Sequence, residues 1–334
     1  MSNLDADEIL APYQAPRWLP GGHAQTIHAA TIAPRPPVRY WRERWETPDL
    51  DFIEIDWVDN PDHELKLNQQ DETPLVVLFH GLEGDSNSHY ARSLMHAVNA
   101  LGWRGVVVHF RGCGGALNRL PRAYHSGDSA EIDWVLRRLR SSRSGPLYAV
   151  GVSLGGNALL KWLGEQGDNA RSVITRAAAV CAPVDLAAAG DALARGFNRV
   201  YTRRFLSTMK AKTLAKMKRY PALCDRPHMM AARTLREFDD RVTAPLHGFS
   251  GADDYYARAS SKPYLKFIAA PTLMLNARND PFLPARFLPT AQGISPHIVL
   301  ETPATGGHVG FVTGSFPGNI TWLAQRLLRF FTAA

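Results

Sequence analysis

The chain has 334 residues, of which 45% are hydrophobic, 10% aromatic and 21% charged; 38 Lys and Arg against 31 Asp and Glu give a formal net charge of +7. This is the profile of a folded globular chain, and it excludes the disordered, collagenous and disulfide-scaffold classes. The charge excess permits attraction to anionic surfaces, but without clustering on one face it does not argue for nucleic acid.

The first ten residues, MSNLDADEIL, are acidic and lack the basic-then-apolar order of a secretory leader. Residues 1–37 hold six prolines and the pair Gly21-Gly22, and read as an irregular arm lying over a domain. Two strand-like stretches follow, VRYWRERWE (38–46) and DFIEIDWV (51–58), joined by a Pro-Asp turn as an antiparallel hairpin. In the second, Phe52, Glu54 and Asp56 alternate with Ile53, Ile55 and Trp57.

Beyond a polar connection, PDHELKLNQQDETP, short apolar runs alternate with helical patterns. LVVLF (75–79) precedes a helix near 88–101, GVVVHF (105–110) a helix near 128–140, and LYAVGV (147–152) a helix near 154–166. AAAVCAP (177–183), PTLMLNA (271–277) and HIVLE (297–301) complete the runs, and an amphipathic helix closes the chain over roughly 318–332. Continuous apolar runs mean strands buried on both faces, which requires a mostly parallel sheet covered by helices. The reading is an α/β sheet of eight strands with an antiparallel N-terminal edge. Residues 185–265 contain no comparable strand run but do contain helical stretches, FLSTMKAKTLAKMKRY and PHMMAARTLREFDDR. The expected division is an arm over 1–37, a core over 38–184 and 266–334, and a helical cap over 185–265. An insertion at a strand's carboxyl end lies over the place where such sheets bind ligands.

Gly151-Val152-Ser153-Leu154-Gly155 falls between the run LYAV and the helical GNALLKWLGEQ. A G-x-S-x-G between strand and helix is a nucleophile elbow: a strained turn lifts the serine hydroxyl above the sheet, and the helix N-terminus favours developing negative charge. A serine hydroxyl also needs a base held by a carboxylate, in the chain order Ser, Asp, His on this architecture. Asp280 in NARNDPF and His308 in TGGHVGF each follow a late strand and fill those places. Asp185, after AAAVCAPV, is a competing acid; Asp253 and Asp254 sit in the cap and read as structural. The other eleven histidines lack a matching context. His125 stands before a helix capped by Ser126 or Asp128 and reads as packing. The oxyanion donors expected are the backbone N–H groups of Leu154, after the nucleophile, and of Leu82, in the loop FHGLEG that contains His80 and Gly81.

Other chemistries find little support. Gly112, Gly114 and Gly115 of RGCGGALNR do not fit G-x-G-x-x-G, no P-loop occurs, and neither H-E-x-x-H nor a paired cysteine motif offers a metal site, so no cofactor and no metal are expected. Cys113, Cys181 and Cys224 cannot all pair, which makes a reducing compartment the default. No segment approaches the roughly 18 apolar residues of a membrane span, and a cytoplasmic protein is expected. In the cap, Leu206, Met209, Leu214 and Met217 can share a helix face, with Lys210, Lys212, Lys216, Lys218 and Arg219 largely elsewhere. That basic run is either a solvated helix face or a peripheral contact with an anionic membrane.

Several blocks together resemble one family: PGGHAQT, FHGLEGDSNSHY, HFRGCGGALNR with YHSGD, GVSLGGN, REFDDRVTAPLHGFSGADDYY, NARNDPF and GGHVGF. They are similar, over roughly residues 15–330, to the YheT-like branch of the α/β-hydrolases, which includes the yeast medium-chain ester synthase/esterases and animal lipid hydrolases. The N-terminal block begins GGH where Asn-Pro-His is expected. The resemblance implies a serine hydrolase acting on carboxylic esters, such as acyl esters or acylglycerols. It also implies Ser153 as nucleophile, Asp280 as acid and His308 as base. Its expected partner is a small-molecule ester; no nucleic acid is expected, and the oligomeric state stays open. Acyl transfer to an alcohol on the same residues is the alternative. A catalytically idle binding scaffold is disfavoured because all three residues are present.

Overall fold

The computed structural model describes residues 12–59 and 71–333. The acidic first ten residues and most of the polar connection after the hairpin lie outside the described residues. Eight strands form one sheet: β1 (Tyr40–Glu46), β2 (Phe52–Val58), β3 (Leu75–Phe79), β4 (Arg104–His109), β5 (Leu147–Val152), β6 (Arg176–Val180), β7 (Thr272–Leu275) and β8 (Ile298–Glu301). Their order is β1-β2-β4-β3-β5-β6-β7-β8. β2 pairs antiparallel with both β1 and β4, and every later pairing is parallel.

The apolar runs become central strands because alternate residues feed two separate cores. Val77, Phe79, Val106, Val108, Ala149 and Met274 pack under helices α3 (Ser129–Ser141) and α4 (Leu154–Gln166). Val76, Leu78, Val107, Val150, Val152 and Leu275 pack against α2 (His89–Ala100) and α12 (Thr321–Thr332). Ala91, Leu94, Met95 and Val98 of α2 follow the 3.6-residue period, so one stripe of that helix is buried. Each fully buried Val or Leu contributes about 1.5–3 kcal/mol, and both faces of the sheet are dry.

One local reading is corrected. The arm is not irregular throughout: α1 (Gly22–Thr31) follows Gly21, whose φ of 80° turns the chain into the helix. Its buried residues are Gln25, Thr26, His28 and Ala29, so no apolar stripe marks it in the sequence. In β2 the alternation does not separate a wet face from a dry one, since all seven residues are buried. Burial alone would raise the Asp56 carboxyl, but hydrogen bonds from Arg42 (2.7 Å), His109 and Ser86 hold it well below the ordinary carboxylate range.

A short helix, α5 (Ala170–Val173), precedes β6; between β6 and β7 the chain is helical, with α6 (Leu186–Leu193), α7 (Arg199–Met217), α8 (Arg226–Ala231), α9 (Leu235–Phe238), a π-turn (Asp239–Thr243), α10 (Ala244–Leu246) and α11 (Ala252–Ala259). The stretch PHMMAARTLREFDDR is therefore two short helices running into a π-turn. Leu193, Leu206, Met229, Leu235, Phe238 and Val242 form an apolar cluster of their own, joined by Phe282 from the sheet side. Of the face expected on α7, Leu206 belongs to this cluster, and Met209, Leu214 and Met217 pack against it.

Candidate active site

Parallel strands deliver the loops after β3, β5, β7 and β8 to one edge of the sheet, beneath these helices. Ser153 follows β5 directly and sits at φ 53° and ψ −118°, a left-handed conformation costly for a side chain. The Ser153 N–H donates to the Val180 carbonyl (2.8 Å), and its own carbonyl accepts from Asn157 in α4 (3.0 Å). Close approach explains the flanking glycines. A Cβ on Gly155 would run into the Phe79 and His80 carbonyls, and one on Gly151 would stand 2.5 Å from the Gly155 oxygen.

The structure brings Asp280 and His308 to this serine. His308 Nε2 lies 2.9 Å from Ser153 Oγ, and Nδ1 lies 2.8 Å from Asp280 Oδ2. The other Asp280 oxygen accepts the Phe282 N–H (2.8 Å), and the carboxylate is almost fully buried. The Phe282 ring stacks on the imidazole at 3.9 Å between centroids. Cys181 also approaches, with one donor atom of Cys181, Asp280 and His308 all within 4.8 Å of each other. Burial pushes its thiol well above the ordinary value, so it stays protonated and accepts the Val309 N–H at 3.3 Å. The competing acids lie elsewhere. Asp185 caps α6 through Ala188 and meets Lys262, Asp253 pairs with Arg236, and Asp254 with Arg258. His125 packs its ring 4.6 Å from His247; Asp128 stands at the N-cap of α3, but its side chain takes Arg122 rather than capping the helix.

Leu82 and Leu154 both line the cavity, and neither N–H donates a hydrogen bond to a described residue. The buried His80 accounts for the orientation of the first. Burial pushes its pKa down to about 3, so the ring is neutral. Nε2 accepts from the Phe110 N–H (3.1 Å), which places the proton on Nδ1, and Nδ1 donates to the Gly81 carbonyl (2.7 Å). A trans peptide opposes its carbonyl and its N–H, so fixing the Gly81 oxygen aims the Leu82 N–H the other way. Gly81 itself lies against Ser153: a Cβ there would be 3.1 Å from Ser153 Cβ.

Three consecutive N–H groups of the histidine loop are held by side chains that the sequence reading did not single out. Gly306 donates to Gln25 Oε1 (2.8 Å), Gly307 to Asn279 Oδ1 (2.9 Å) and His308 to Thr26 Oγ1 (2.8 Å). Asn279 Nδ2 donates back to Gln25 Oε1 (3.0 Å). Two of the three acceptors come from α1, about 280 residues earlier in the chain, and the third adjoins Asp280. The block PGGHAQT was the available signal, but nothing local says what it touches.

Above Ser153 lies a cavity of about 1220 Å³, counting its open mouth. Its roof is the inner face of α7, and Leu186, Leu193, Leu235, Phe238 and Val242 supply apolar wall. Two lysines expected in solvent point inward here. Lys212 reaches Glu83 (3.0 Å) and Cys113 Sγ (3.3 Å), and Lys216 donates to the carbonyls of Leu120, Pro121 and Arg122. Burial lowers Lys216 to about 8.

The sequence profile of the α/β hydrolase fold matches residues 74–315. The chain is 38% identical over 336 aligned positions to the YheT protein of Escherichia coli (strain K12), provisionally named an esterase, covering 98% of this chain and 95% of that one. It is 32% identical to the phospholipase ABHD3 of Homo sapiens, over 97% of this chain and 80% of that protein. Among solved structures, the mouse alpha/beta hydrolase domain-containing protein 10 superposes with a TM-score of 0.54 at 15% identity, over 87% of this chain and 98% of that one, a likeness of fold.

Proposed function

This chain belongs to the α/β-hydrolase fold family, in its YheT-like branch, and on that footing we propose a serine hydrolase that cleaves carboxylic esters by way of an acyl-enzyme. The observation that carries the proposal is the relay from Ser153 Oγ to His308 Nε2 (2.9 Å) and from Nδ1 to Asp280 (2.8 Å). With Nδ1–H donating to Asp280, Nε2 is the free acceptor for the serine proton. Ser153 attacks the ester carbonyl while His308 takes that proton. The N–H groups of Leu82 and Leu154 hold the oxyanion, with the N-terminus of α4 behind them. His308 then protonates the departing alcohol, and water repeats the sequence to release the acid. Asp280 keeps the tautomer and stabilises the imidazolium.

The apolar roof and walls suit an acyl chain, and the phospholipase name of the human relative supports a glycerolipid ester as the substrate class. No cofactor enters this scheme. Ser153→Ala is expected to abolish labelling by a fluorophosphonate probe and hydrolysis of p-nitrophenyl esters; undiminished labelling of that variant removes Ser153 as nucleophile.

A further inference from the structure

The helical segment over 185–265 holds 15 Lys and Arg against 8 Asp and Glu, a net +7, which leaves 23 against 23 in the rest of the chain. The whole excess of the protein therefore sits in the structure that roofs the cavity. Within it, the 19 residues of α7 include six basic and no acidic side chains. The three lysines in its second half are turned to internal acceptors: Lys210 donates to the carbonyls of Met230 and Ala232, and Lys212 and Lys216 reach inward as above. The sequence-level basic run thus contributes little outward charge at those positions.

The outward charge lies one turn earlier. Arg199, Arg203 and Arg204 are exposed, and none forms an ion pair or side-chain hydrogen bond with a described residue. Among the described residues Arg195 pairs with Asp191 alone, at 3.9 Å, and Arg233 lines a groove with Arg199 and Arg203. Beside these guanidinium groups stand exposed apolar side chains, Phe197 at 51% and Val200 at 50% exposure. Unpaired like charges repel, and large apolar groups in water gain nothing, so this face is not optimised for solvent alone. A surface that offers both anionic oxygens and apolar depth satisfies both sets of groups.

We propose that the outer face of the first half of α7, with Arg199, Arg203 and Arg204 flanked by Phe197 and Val200, docks the protein on an anionic phospholipid bilayer. Charge complementarity selects the headgroups, and the two apolar side chains select a bilayer over duplex nucleic acid, whose base faces are already buried in the stack. The same helix presents Phe205 and Met209 to the cavity, so a bilayer seated on its outer face lies next to the site. Docking is a binding event that needs no turnover, and it is measured without any reference to the ester chemistry.

The test is flotation of the full chain with phosphatidylcholine vesicles, with and without phosphatidylglycerol, at low and high salt. Binding only to the anionic vesicles, weakened by salt, is expected. Arg199→Ala, Arg203→Ala and Arg204→Ala together should lower the partition coefficient by about a hundredfold. Phe197→Ser with Val200→Ser should remove the salt-resistant remainder. Lys218→Ala with Arg219→Ala, which removes two exposed charges just beyond the far end of the same helix, should change it several-fold at most. All variants should keep the wild-type circular dichroism and hydrolysis of a soluble p-nitrophenyl ester. No flotation with anionic vesicles overturns the proposal, as does equal binding by the triple variant. Binding to a labelled duplex oligonucleotide but not to vesicles overturns it too.

Discussion

Replacing Thr26 by Val removes one oxygen and keeps the shape of the side chain. In the native protein that oxygen accepts the His308 N–H at 2.8 Å and donates to the Gly22 carbonyl at 2.7 Å, with the residue only 7% exposed. The variant faces two outcomes. If the loop stays in place, a buried N–H is left without an acceptor, at a cost of about 1–3 kcal/mol to stability. If instead the loop shifts to recover a partner, the imidazole leaves Ser153, and the same energy appears as a fall in kcat of roughly 5- to 150-fold. Gln25 and Asn279 still hold Gly306 and Gly307, so the loop can swing at its unclamped end rather than unfold. The expected result is therefore a fall in kcat of about tenfold for a p-nitrophenyl ester, with KM unchanged and fluorophosphonate labelling slowed in parallel. Thr26→Ser restores the acceptor and should restore kcat. Wild-type kcat in the valine variant, or a serine variant as slow as the valine one, would refute the idea that α1 positions the histidine.

Three further outcomes are expected. Asp280→Asn keeps the Phe282 contact but loses the acceptor for Nδ1–H, and steady-state assays should find kcat lower by about 10⁴. His80→Ala frees the Gly81 carbonyl and with it the aim of the Leu82 N–H; a loss of about 10²–10³ in kcat is expected, the size of one oxyanion donor. Asp239, in the π-turn, has its carboxyl pushed up to about 6 by burial, against hydrogen bonds from Thr243 (2.7 Å) and Tyr256 (2.8 Å). The native state thus binds more protons than the unfolded chain between about pH 4 and 6, and stability falls as pH rises through that window. Asp239→Asn should match the wild type in denaturant titrations near pH 4 and exceed it by up to about 3 kcal/mol at pH 7; no difference at pH 7 would contradict a buried charge there.

The parts of the fold that were legible in the sequence depend on near neighbours. The elbow is visible because backbone contact at Gly151 and Gly155 requires glycine at fixed spacing from Ser153. Asp280 and His308 are visible because parallel strands force their loops to one edge. What stayed hidden depends on distant partners. Gln25 and Thr26 find their donors in the loop at 306–308, and a helix that buries polar side chains leaves no apolar stripe to read. Lys212 and Lys216 are basic residues on a helix of mixed pattern, for which solvent is the default. Only the carbonyls at 120–122 and the Glu83 carboxylate, brought up from far along the chain, turn them inward. The alternation of Glu54 and Asp56 with apolar residues in β2 likewise does not show that the arginines of β1 cover them.

Glu83 follows directly on Leu82 in the loop after β3, with its carboxylate buried; Tyr124 donates to it at 2.8 Å and Lys212 of α7 at 3.0 Å. Roof and loop therefore share one ion pair. Lys212 in the roof is thereby tied, through Glu83, to the backbone beside Leu82, and the cavity wall on that side is one connected piece from α7 to the loop after β3.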